Sequence, residues 1–146
     1  MAKIKVLFLC TGNSARSQMA EAFLRTYGDE FFEAYSAGLE PKGMNPITVQ
    51  VMDEIGVDIH HQTSKDLMTY LGKQHFGYLI TVCAHAEANC PIFPGMGKRL
   101  HWSFDDPAKF DGEEAAKLAK FRQVRDEIGT QVRAFVEILK PAIDAG

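Results

Sequence analysis

No apolar stretch of this 146-residue chain approaches the roughly 18 residues that a membrane-spanning helix needs, and no internal repeat or low-complexity tract interrupts it. Basic runs are also missing and the net charge is −3, which argues against a nucleic-acid partner. Met1-Ala2-Lys3-Ile4-Lys5 opens straight into a strand-like run without the pattern of a cleavable leader, so a cytoplasmic protein is expected. Cysteine is scarce. Three residues, Cys10, Cys83 and Cys90, are an odd number, and a reducing compartment disfavours a structural disulfide framework. Zinc is disfavoured too, because Cys83-x6-Cys90 lacks the short spacing of a zinc knuckle and no matched second pair exists. Catalysis, thiol exchange or inert burial remain.

Hydrophobic residues at 46% and charged residues at 24% fit a single soluble domain spanning 1–146. Apolar runs predict strands at Ile4–Leu9, Phe31–Ser36, Tyr78–Val82 and, more weakly, Lys98–Trp102. Helical spacing predicts helices at Ser14–Tyr27, Pro46–Ile55 and Glu113–Lys140, the last closed by Pro141, with a short helix from Asp66 to Gly72. Strands alternating with helices imply an α/β fold with a parallel sheet covered on both faces. Reactive groups then belong beyond the C-terminal strand ends. Cys10, Cys83 and the Asp105-Asp106 pair all fall on that edge.

The strongest local signal is Cys10-Thr11-Gly12-Asn13-Ser14-Ala15-Arg16-Ser17, where a strand hands over to a helix. Backbone amides of such a loop converge on one point, and the helix adds its positive end, which together cradle a tetrahedral oxyanion. The same amides and Arg16 favour a thiolate at Cys10. Gly12 allows a backbone twist with positive φ, Asn13 and Ser14 can brace the loop, and the Arg16 fork matches two oxyanion oxygens. A sulfur nucleophile in an anion cradle points to attack on the central atom of the bound ion. One aspartate of Asp105-Asp106-Pro107 is placed to protonate a leaving oxygen; the sequence leaves the choice open, with the adjacent proline favouring Asp106. Cys83 lies at a strand end on the same edge. The segment Ala84-His85-Ala86-Glu87-Ala88-Asn89 is small and polar, material for a mobile loop. If it is helical, seven residues separate the two cysteine backbones by roughly 10 Å, against the roughly 7 Å that a disulfide spans. A Cys83–Cys90 bond would then require the segment to unwind and carry Cys90 toward the surface.

With Cys10-Thr11-Gly12-Asn13-Ser14-x-Arg16-Ser17-Gln18-Met19-Ala20-Glu21, Tyr35-Ser36-Ala37-Gly38, Asn45-Pro46, Thr63-Ser64, Cys83-x6-Cys90-Pro91, His101-Trp102-x-Phe104-Asp105-Asp106-Pro107-Ala108 and Phe121-Arg122-x-Val124-Arg125-Asp126, the chain resembles the thioredoxin-coupled arsenate reductases. These share a fold with the low-molecular-weight protein tyrosine phosphatases. The resemblance implies a three-layer αβα domain with a four-stranded parallel sheet. It implies that Cys10 attacks arsenate held by Arg16 and the loop Thr11–Ser17, that Asp106 protonates the departing oxygen, and that Cys83 and Cys90 resolve the adduct in turn. Thioredoxin is then the external electron donor for arsenic detoxification, with no tightly bound cofactor and a monomer as the working unit. Phosphate and sulfate are expected as analogues of arsenate.

Some family members bind potassium near the first loop, through positions that correspond to Asn13, Glu21, Ser36 and an aspartate after Ser64. Here Lys65 is inserted and Asp66 follows one place later, so the Lys65 ammonium either replaces the cation or points to solvent. The alternative reading is a phosphotyrosine phosphatase working through a Cys10 phosphoenzyme. Against it stand the Cys83/Cys90 pair and Ala108, where the phosphatases usually place an aromatic residue. His60-His61 reads as a solvated turn, Trp102 as packing against the helix layer, and Arg122 and Arg125 as exposed on the last helix.

Overall fold

The computed structural model describes residues 3–92 and 94–145. Four strands, β1 (Ile4–Cys10), β2 (Phe32–Gly38), β3 (Phe76–Thr81) and β4 (Met96–His101), form one parallel sheet in the order β2-β1-β3-β4. Parallel neighbours need crossover connections. These are supplied by α1 (Arg16–Gly28) between β1 and β2, by α2 (Pro46–Asp53) with a 3-10 turn at Leu67–Thr69 between β2 and β3, and by α3 (Ala84–Asn89) between β3 and β4. A second 3-10 turn, Pro107–Lys109, leads into α4 (Glu114–Ala145). The central strand β1 is buried on both faces from Val6 to Cys10, as an unbroken apolar run should be.

Alternation along the strands assigns the layers. Phe32 of β2 and Tyr78 of β3 both meet Phe135 of α4, and Ser36, on the same side as Phe32, meets Glu21 of α1. One face of the sheet is therefore covered by α1 and α4. The opposite face carries Tyr35, which packs on Tyr70 and Phe76, and Thr81, which reaches Glu87 of α3. Trp102 lies between Phe8 of β1 and Phe135, against the helix layer as expected. The result is the three-layer αβα arrangement with a four-stranded parallel sheet. Among the described residues no helix is long and apolar enough to cross a membrane.

Three local expectations are corrected. The segment 84–89 is a helix rather than a loop: its alanines favour helix, and Cys83 caps it by accepting the Ala86 amide at 3.4 Å. Pro141 does not end α4, which continues to Ala145. Proline forfeits one helical hydrogen bond, but Pro141 faces solvent while Leu139 and Ile143 pack on the core on either side of it. Arg125 is buried rather than exposed, because its Nη1 donates to the Val51 carbonyl at 2.9 Å and to Glu54 Oε1 at 3.0 Å. Arg122 remains largely exposed and forks onto the same Glu54 carboxylate.

Candidate active site

The loop from Cys10 to Ala15 leaves the C-terminal end of β1 and ends in the first turn of α1. Its carbonyls are engaged outward: Cys10, Thr11 and Gly12 accept the amides of Leu39, Glu40 and Lys42 at 3.2, 2.8 and 3.0 Å, and Ser14 accepts that of Asn45 at 3.1 Å. Ser64 Oγ donates to the Gly12 carbonyl as well. The positive-φ twist expected at Gly12 falls instead on Asn13, which is wholly buried with φ 48°, a left-handed conformation that asparagine tolerates. That twist brings its amide to 3.2 Å from Cys10 Sγ. Ser17 Oγ lies 2.8 Å from the same sulfur and accepts from Asn13 Nδ2 at 2.8 Å. The Asn13 amide donates to Cys10 Sγ, and the Ser17 hydroxyl is within reach to donate to it once the sulfur is an anion.

Four of the five residues singled out from the sequence share one cleft of about 590 Å³: Cys10, Arg16, Cys83 and Asp106. Thr11, Gly12, Ser14 and Ala15 line it as well, whereas Asn13 and Ser17 lie buried beneath the loop as braces. Cys83 Sγ is 3.4 Å from Thr11 Oγ1, which places the second sulfur at the lip of the first loop. Arg16 is anchored by Nη1 donating to the Phe104 carbonyl at 3.1 Å, and its Nη2 lies 3.4 Å from Asp106 Oδ2. The two adjacent aspartates separate here. Asp105 points to solvent, where the hydrogen-bonded Lys120 ammonium at 2.8 Å holds its carboxyl below the usual aspartate range. Asp106 turns into the cleft and caps the turn before Ala108.

Cys90 does not line this cleft. It is half-buried at the far end of α3, where burial pushes its thiol up and the nearby Arg99 charge opposes that shift. Lys42, His85 and Lys109 rim the cleft together with Glu40, and none of these stood out in the sequence. The signal for Lys42 was slight: it follows Pro41 in the turn that lies across the anion loop.

The potassium set implied by the resemblance, Asn13, Glu21, Ser36 and Asp66, does not assemble. Glu21 and Ser36 meet, with Ser36 Oγ donating to Glu21 Oε1 at 2.6 Å. Asn13 Oδ1 is occupied by the Lys65 amide at 2.7 Å and by Gln18 Nε2 at 3.0 Å. Asp66 is exposed and caps the 3-10 turn through the Met68 amide. The Lys65 ammonium lies 3.8 Å from Glu21 Oε1 and donates to the Thr63 carbonyl, while Arg25 takes the other Glu21 oxygen. Burial pulls the Lys65 ammonium below the usual lysine range, and Glu21 opposes that pull. One carboxylate already faces two cations, so the donor set does not fit a further monovalent ion.

Comparison with known proteins places this geometry. An arsenate reductase of Halalkalibacterium halodurans is 47% identical over 137 residues, covering 94% of this chain and 98% of that protein. A solved arsenate reductase in a phosphate-binding state superposes with a TM-score of 0.76 at 29% identity, covering 92% of this chain and 97% of that one. A thioredoxin-dependent arsenate reductase of Corynebacterium glutamicum superposes at 0.72 with 25% identity, covering 96% of this chain and 63% of that one. The family model of the low molecular weight phosphotyrosine protein phosphatases matches residues 5–144, nearly the whole chain, which therefore belongs to that family.

Proposed function

We propose that the chain reduces arsenate to arsenite through a relay of three thiols, in the cytoplasm and as a monomer. Cys10 attacks arsenic in arsenate held by Arg16 and the loop amides; Asp106 gives its proton to the departing oxygen, and a sulfur–arsenic bond replaces an oxygen–arsenic bond. Cys83 then attacks Cys10 Sγ. The Cys10–Cys83 bond forms, the sulfur–arsenic electron pair passes to arsenic, and arsenic(III) leaves as arsenite. Cys90 attacks Cys83 next, so that Cys10 departs as a thiolate and a Cys83–Cys90 disulfide remains. A thioredoxin dithiol reduces that bond and returns the chain to its starting state. All electrons come from thiols, and no step is routed through potassium; Lys65 supplies the positive charge that faces Glu21.

The observation that carries this reading is the position of Cys83, whose sulfur shares the Cys10 cleft 3.4 Å from Thr11 Oγ1. A phosphatase needs no second sulfur there. The phosphatase reading has its own support in the shared loop, Arg16 and Asp106, and it implies weak aryl-phosphate hydrolysis. Against it stands Ala108 in the cleft lining, where the phosphatases usually place an aromatic residue. The test is arsenate turnover with thioredoxin, its reductase and NADPH, beside an aryl-phosphate assay. Cys83→Ala should stop arsenite release and spare aryl-phosphate hydrolysis; loss of both, or of neither, would reject the relay.

A further inference from the structure

At the C-terminal end of α3, the last turn of a helix leaves carbonyls without intrahelical donors. Here one side chain from a different strand takes two of these acceptors. Arg99 of β4 donates Nη2 to the Glu87 carbonyl at 2.6 Å and Nη1 to the Cys90 carbonyl at 3.5 Å. The same guanidinium lies 3.5 Å from Glu87 Oε1. The other Glu87 oxygen accepts from Thr81 Oγ1 of β3, and Thr81 Oγ1 is in turn 2.8 Å from His101 Nδ1 of β4. The end of α3 that carries Cys90 is therefore fastened to two strands by its backbone and by its one acidic side chain. None of these groups touches the Cys10 cleft.

We propose that Arg99 and Glu87 are positioning residues for the resolving cysteines: they hold α3 wound in the dithiol state, are released when Cys83 and Cys90 join, and so keep that disulfide easy to reduce. The inference rests on the relay proposed above. Six helical residues lie between the two cysteines, and a wound helix holds such positions roughly 10 Å apart, beyond the roughly 7 Å span of a disulfide. The bond therefore forms only when α3 unwinds, and unwinding moves the Glu87 carbonyl and carboxylate away from Arg99, Thr81 and His101. Contacts present only in the dithiol form favour that form and raise the potential of the couple. Arg99 serves Cys90 a second way, since its charge opposes the burial and the Glu87 charge that disfavour the thiolate needed for attack on Cys83.

The experiment is a redox titration of the full chain in buffers of reduced and oxidised dithiothreitol, with the Cys83–Cys90 bond followed by mass spectrometry. Arg99→Gln should shift the equilibrium about tenfold toward the disulfide, which is about 30 mV toward more reducing potentials. Glu87→Ala should shift it the same way by less. Arg99→Lys, which keeps the charge but cannot span two carbonyls, should fall between Arg99→Gln and the native chain. Amides 84–89 should exchange hydrogen faster in the dithiol form of each variant. Folded variants with native potentials and native exchange at 84–89 would overturn the clamp. A native chain that forms no disulfide dependent on Cys90 would instead overturn the relay, and the clamp with it. Should Arg99→Gln fail to fold, Glu87→Ala and Arg99→Lys carry the same comparison.

Discussion

Gly38→Ala adds one methyl group to the chain, far in sequence from either active-site sulfur, and should disable the site. Gly38 is the last residue of β2 and the register partner of Cys10. A Cβ at this position would lie 2.7 Å from the Thr11 carbonyl oxygen and 3.0 Å from both the Asn13 amide nitrogen and its Cβ. Ordinary contact begins near 3.4 Å, so the loop would have to retreat by about 0.7 Å. Retreat also strains the bond that the Thr11 carbonyl accepts from the Glu40 amide at 2.8 Å, because Glu40 belongs to the same segment as Gly38. The Asn13 amide is the group that meets Cys10 Sγ at 3.2 Å, and a retreat of about 0.4 Å at this nitrogen lengthens and misaligns that bond. Displacements of about 1 Å cost on the order of 100-fold in rate, and overpacking costs about 1–3 kcal/mol of stability. Arsenate turnover should fall by about 100-fold in kcat/KM, while urea titration shows the variant still folded. Gly77→Ala is the control. Its Cβ would press on Ile4 Cγ2 at 2.7 Å, away from the loop, so stability should drop without a comparable loss of rate. Native kcat/KM in Gly38→Ala, or equal losses in both variants, would refute the reasoning.

Two further outcomes are expected. Asp106→Asn should lower kcat for arsenate by about 10²–10⁴, whereas Asp105→Asn, whose carboxylate faces Lys120 in solvent, should leave kcat unchanged; steady-state kinetics of the pair decide it. Glu54 is held below the usual glutamate range first by its hydrogen bond with Arg122 and then by Arg125. A carboxyl depressed in the folded state stabilises the chain above its unfolded value of about 4.3, and that contribution is lost as pH falls through the lower folded value. Glu54→Gln should therefore flatten the fall in urea midpoint between neutral and acid pH; an unaltered slope would show the Arg122–Glu54–Arg125 group to be inert.

The parts of this molecule that were legible without coordinates are those whose signal is local. A short apolar run followed by Cys10, Gly12 and Arg16 reads as strand, loop and helix because each transition is marked by the residues at the transition itself. Strand alternation with helices implied a parallel sheet, and a parallel sheet sends Cys10, Cys83 and Asp106 to one edge whatever the exact strand boundaries. The helix 84–89 was missed because its apolar residues are only alanines, which show no amphipathic stripe, and because its N-cap is a cysteine sulfur rather than a hydroxyl or carboxylate.

By itself the chain determined the chemistry available: two sulfurs, one anion loop, one arginine fork and two candidate acids on a common sheet edge, with a third sulfur seven residues beyond the second. Only the folded arrangement decided which acid faces the cleft, since Arg16 and Lys120 each draw one aspartate and approach from different elements. Packing likewise decided that Lys65 turns to Glu21, that Arg125 is buried beside Glu54, and that Arg99 reaches across to the end of α3. The physical reason is range. Periodicity and turn chemistry act between residues a few positions apart, whereas a charged side chain chooses its partner by proximity in space and by the water excluded around it, and neither exists until distant segments have packed together.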